Sequence, residues 1–111
     1  EHAPPGFDHV EIDKQLGRIA GSSVERGLAM RERGDHAAAI AAFREALALD
    51  PEHVDASWHL AVMLCADADA DLAEVERLCR RVLRWCQESA RDAGPATLVL
   101  VTTLGRAGRL D

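Results

Sequence analysis

Residues 31–51 read RERGDHAAAIAAFREALALDP, Arg31 to Pro51. This stretch decides the fold. Gly34 supplies the left-handed residue that stops one helix. Alanines and Ile40, Phe43 and Leu47 then recur at helical spacing, and Pro51 ends the run because the residue before a proline is pushed out of helical geometry. The predicted helix runs from about His36 to Leu49, with Ile40, Phe43 and Leu47 on one stripe and Ala39, Ala42 and Ala46 beside it.

Working outward, the opening EHAPPGFDH reads as an arm. Ile12, Leu16 and Ile19 predict a short amphipathic helix ending near Gly21. Ser22 with Glu25 forms a capping-box pattern that opens a new helix reaching about Arg33. Downstream, Trp58, Leu60, Ala61 and Leu64 predict a helix over about Val54–Ala66, and DADAD is a turn in which Asp71 and Glu74 cap the next helix. That helix, expected to run to about Asp92, carries Leu72, Val75, Cys79, Val82 and Cys86 at 3-4-3-4 spacing, widened by Leu78 and Leu83. Gly94 is its expected stop and Pro95 the start of a fifth helix, whose apolar face is read as Leu98, Val101 and Leu104. The fold class is all-α.

Repetition is the strongest signal. Gly34, Ala39, Phe43, Ala46 and Pro51 resemble the tetratricopeptide repeat, a helix pair with small residues at its contacts, an aromatic plug and a closing proline. Gly27 fits the small position of the first helix, with Ala39 expected against it and Ala46 expected to touch the following repeat; Ser23 stands where an aromatic is often found. The resemblance implies an arm and short helix over 1–20 and a repeat domain over 21–111. Its parts are repeat one, about 21–53, a longer repeat two, about 54–94, with Arg77 or Leu78 at the plug position, and a half repeat, about 95–111, in which Gly108 corresponds to Gly34. The final LGRAGRLD reads as a turn between helices, so a further helix is expected beyond it. Terminal repeats ordinarily carry a polar cap.

The resemblance implies a protein-interaction scaffold in which the first helices of successive repeats line a groove for a peptide or amphipathic helix. Carried onto this chain, the groove positions are Val24, Leu28 and Arg31, then Trp58, His59, Val62 and Cys65, then Leu98, Thr102 and Arg106. The subgroup that clamps an acidic C-terminal carboxylate uses Lys and Asn where this chain has Val24, Leu28, Trp58, His59 and Val62, so an apolar or amphipathic partner is expected instead. Self-association through the last helix, and service as an accessory domain of a larger enzyme, are the alternatives.

Composition narrows the classes further. Among the 111 residues, 48% are apolar but only 4% aromatic, and the formal net charge of -6 argues against nucleic-acid binding, which needs a basic surface. Eight acidic residues and no Lys or Arg lie between Asp50 and Glu76, and five arginines against one glutamate between Arg77 and Arg91. Such blocks read as solvated faces that complement each other within the fold. Cys65, Cys79 and Cys86 make no disulfide framework and fit a reducing, cytoplasmic setting; Cys79 and Cys86 fall on an apolar stripe and read as core. No apolar run approaches the roughly 20 residues of a membrane span.

No catalytic, cofactor or metal motif emerges. Asp67, Asp69 and Asp71 resemble the opening of a calcium loop, but Leu72 and Leu78 stand where the turn glycine and closing glutamate belong. His2, His9, His36, His53 and His59 include no pair at the spacing that sets two imidazoles on one helix face.

Overall fold

The computed structural model describes residues 9–67 and 69–108, with side chains from Lys14 onward. Five helices follow in order: α1 (His9–Glu32), α2 (His36–Leu49), α3 (Val54–Cys65), α4 (Leu72–Glu88) and α5 (Gly94–Arg106). No strand occurs among the described residues. The chain divides into two compact units, one ending at His53 and the other beginning at Val54.

In the first unit α1 and α2 pack antiparallel. Going down α1, Gly27 faces the Phe43 ring, the Ser23 hydroxyl donates to Glu45 Oε2 at 2.8 Å, and Gly17 lies near the Asp50 carboxylate. The turn between the helices is closed on both sides. Gly34, at φ +82°, lets its own N–H reach the Arg31 carbonyl and the Asp35 N–H reach Met30 O at 2.9 Å, so two orphan carbonyls are satisfied. Asp35 then caps α2, its side chain accepting from Ala38 N–H at 3.1 Å. Asp50, in extended geometry before Pro51, ends it.

Two sequence expectations fail here. No break occurs at Gly21: α1 is one helix of 24 residues, and Ser22 and Glu25 are exposed positions in its middle rather than a capping box. A helix interior glycine costs about 1 kcal/mol against alanine, and the continuous buried face of Ala20, Ser23, Val24 and Gly27 outweighs it. Ile19, expected on the apolar stripe with Leu16, is 52% exposed, because the buried register steps from half-buried Leu16 to Ala20. The segment expected to be a separate arm and short helix is therefore continuous with α1 from His9 on.

The α2 contribution to the core is also rebalanced. Ala39, Ala42, Phe43 and Ala46 are buried, while Ile40 and Leu47 are only half-buried. The small residues are thus the more deeply buried, and their size permits close approach of a neighbouring helix. Gly27 meets the Phe43 ring: a Cβ there would lie 2.6 Å from Phe43 Cε1.

The second unit packs α3, α4 and α5 together. Ala56, Leu60, Ala61 and Leu64 of α3 are buried, as are Val75, Leu78, Cys79, Val82 and Cys86 of α4, the stripe read from the sequence. Leu78, not Arg77, takes the core place at the plug position. Asp71 caps α4 by accepting from Ala73 N–H at 3.0 Å, and Asp67 accepts from Asp69 N–H, so both carboxylates serve the turn.

The stop of α4 differs from expectation. It ends at Glu88 with Ala90 at φ 54°, and Arg91 N–H reaches Cys86 O at 2.8 Å. Ala90, not Gly94, is the left-handed residue, and Gly94 instead begins α5, its N–H donating to Asp92 Oδ1. On α5 the buried residues are Ala96, Leu100 and Thr103, while Leu98 is 67% and Val101 45% exposed. The run TLVLVTT is apolar around the helix, so periodicity alone could not choose the face. Thr103 fits the core because its hydroxyl donates to Val99 O at 2.8 Å. Gly108 has φ +71° after α5, the same left-handed conformation as Gly34 after α1.

Candidate functional site

The ten positions assigned to a groove fall into distinct environments. On α1, Val24 is buried in the helix pair, and Leu28 and Arg31 are half-buried. On α3, Trp58, His59, Val62 and Cys65 are all half-buried, one stripe along the helix. On α5, Leu98, Thr102 and Arg106 are exposed.

Packing brings the C-terminal ends of α3 and α5 together. Arg106 donates to the Cys65 carbonyl and, at 3.0 Å, to the Asp67 carbonyl. Its guanidinium thus satisfies carbonyls at the end of α3, where a cation is also favoured by the helix dipole. The Thr103 hydroxyl lies 3.9 Å from Cys65 Sγ. Cys79 is fully buried, and loss of hydration pushes its thiol up to about 11, with the neighbouring Cys65 adding to the effect.

At the other end of the same unit lies an open depression of about 200 Å³, lined by Val54, Asp55 and Trp58 of α3, Val82, Trp85 and Cys86 of α4, and Asp92, Pro95 and Ala96. Its floor is the buried cluster of Val82, Cys86 and Ala96, against which Trp58 packs. Trp85 is exposed and carries the Arg91 guanidinium 5.5 Å from its ring centre. Sequence reading missed Trp85. The available signal was its place beside, not on, the Val75–Cys79–Val82–Cys86 stripe, which marks an aromatic with no assigned seat in the core.

In the basic block, Arg80 pairs with Glu76 of the acidic block at 2.9 Å, Arg81 donates to Ser57 Oγ at 3.1 Å, and Arg91, in the turn after α4, lies over Trp85. In the first unit Glu45 takes both the Ser23 hydroxyl and the Arg26 guanidinium, and these hold its carboxyl below the usual range. No group of three metal-binding side chains occurs among the described residues, and no described helix is long and apolar enough to cross a membrane.

Residues 27–64 match the TPR repeat family. A probable biofilm formation methyltransferase, WspC, of Pseudomonas putida is 42% identical over 65 residues, which are 59% of this chain and 15% of that relative. No solved structure matches the chain. Repeats of this family mediate protein–protein interaction and are themselves non-catalytic scaffolds. With its glycine-stopped helix pair and the plug of Phe43 over Gly27, the segment over residues 27–64 is similar to a tetratricopeptide repeat.

Proposed function

We propose that the chain docks a peptide or amphipathic helix of a partner protein on the α3–α5 side of the second unit, with Trp58 as the aromatic anchor. The observation that carries this reading is apolar surface left in the open on a packed helix, Leu98 at 67% and Val101 at 45% exposure, in a unit whose α3 carries the half-buried stripe of Trp58, Val62 and Cys65. Binding energy at protein interfaces concentrates in buried aromatic anchors ringed by weaker contacts, which suits a tryptophan already seated on a hydrophobic floor. Arg106 on this reading holds the α3 end rather than the partner. The organisation proposed is two repeats, about 21–53 and 54–94, followed by half a repeat.

A photo-crosslinking amino acid at Leu98 tests the reading, against the same group at exposed Arg44 on α2. Crosslinks to one partner from position 98 alone, lost in Trp58→Ala, are the expected result. Equal capture from both positions, or capture unaffected by Trp58→Ala, overturns it. Crosslinks from position 98 only to a second copy of the chain indicate self-association instead.

A second reading has one specific support, the methyltransferase named above. On it, this segment is a protein-docking appendage of a larger methyltransferase and has no part in the chemistry. The gene's full reading frame decides between a methyltransferase and a free-standing repeat protein.

A further inference from the structure

The depression at the start of α3 joins Trp58, the anchor of the proposed groove, to groups that the groove does not use. Two indoles, Trp58 and Trp85, form its walls over an apolar floor, and two carboxylates, Asp55 and Asp92, share its lining. Asp92 is held in place by the Gly94 N–H on Oδ1 at 2.9 Å, and neither carboxylate has an ion-pair partner among the described residues. A neutral apolar ligand would leave both charges unanswered, and an anion would be repelled by them. A cation on an aliphatic stem matches all four groups, since indole faces attract cations and long basic side chains lay their methylenes on apolar surface. The unpaired arginines of α4 do not reverse this sign: Arg77 and Arg84 are exposed, off the Val82–Cys86 stripe that makes the floor.

We propose that this depression receives a lysine or arginine side chain of the docked partner segment, its stem against Trp58 and Trp85 and its charge beside Asp55 and Asp92. The assignment rests on the reading of the chain as a protein-interaction module and adds one chemically defined contact to it. Arg91 is the like charge that such a ligand meets, because its guanidinium already lies over Trp85.

Titration of the full chain with N-acetyl-lysine amide, and with the neutral isostere N-acetyl-norleucine amide, tests this at constant ionic strength. The readout is the two indole N–H resonances, which report binding as weak as about 100 mM, the range expected when one exposed cation–π contact and one charge pair act alone. The lysine amide should shift both indoles and bind about two- to fivefold more tightly than norleucine amide, the ratio that exposed ion pairs supply. Asp55→Asn and Asp92→Asn should each remove about half of that advantage or more. The amide oxygen introduced by Asp92→Asn can still accept from the Gly94 N–H, and unchanged circular dichroism shows the fold intact. Arg91→Gln should strengthen lysine amide binding, a direction that mere loss of packing does not give. Equal binding of the two amides, no shift of either indole, or preference for an acidic amide overturns the proposal. Tighter binding of tetramethylammonium than of the lysine amide makes this a site for a small free cation and overturns the assignment to a partner side chain. Failure here with crosslinking at Leu98 retained removes only this contact, whereas lysine binding without any crosslinked partner removes the docking function.

Discussion

The Phe43 ring lies directly over Gly27, so close that a Cβ on Gly27 would sit 2.6 Å from Cε1 and 2.9 Å from Cδ1. Phe43 is fully buried, so a ring displaced from Gly27 must press on the core around it. Alanine would gain about 1 kcal/mol in helix propensity over glycine, but overpacking a filled core costs about 1–3 kcal/mol. Gly27→Ala is therefore expected to lower stability by up to about 2 kcal/mol in urea unfolding. In the Phe43→Leu background the same substitution should be close to neutral, and equal effects in both backgrounds would show that the ring is not the cause.

Ala90 holds a left-handed conformation that an alanine adopts at a cost. Its φ of 54° closes the α4 terminus through the Arg91 N–H to Cys86 O bond. Ala90→Gly should stabilise the chain by about 0.5–1 kcal/mol. Gly34→Ala, at φ +82°, should destabilise it by about 1 kcal/mol. Thermal melts of the two single variants check both signs.

Burial protects the Cys79 thiol. Its value rises from 9.0 to about 11 in the folded chain, so the folded state keeps its proton where the unfolded state has lost it. The stabilisation is complete below about pH 9 and is lost as pH rises toward 11. Each shifted unit corresponds to about 1.4 kcal/mol, which bounds the loss at about 3 kcal/mol. Cys79→Ala is expected to be less stable at pH 7 through the cavity it leaves yet to show a shallower decline in alkaline urea titrations. At pH 8 half-buried Cys65 should react with a thiol reagent before Cys79 and Cys86, both of which are buried.

Glu45 is held below its ordinary range first by the Ser23 hydroxyl and then by Arg26. A depressed carboxyl stabilises the folded state above its unfolded value near 4.5 and ceases to do so as pH falls through the folded one. Ser23→Ala and Arg26→Ala should each move the NMR-measured Glu45 titration upward. An unmoved titration in Ser23→Ala would remove the hydroxyl as a cause.

What the sequence determined by itself was local chemistry. Gly34, Asp35 and Pro51 punctuate the chain because only a few backbone conformations and caps are open to those residues. The α4 stripe was legible because its apolar positions leave one side of the helix almost wholly polar. Tertiary packing decided the rest. It carried α1 through Gly21 because a continuous buried face outweighs one glycine, and it turned Leu98 and Val101 outward because α5, apolar on every side, offers no contrast for periodicity to read. It made Gly27 the seat of Phe43, put Arg106 on the last carbonyls of α3, and gathered Trp58, Trp85, Asp55 and Asp92 around one depression. Those residues lie on α3, on α4 and in the turn that follows α4, and only the packing of α3, α4 and α5 places them within reach of a single side chain.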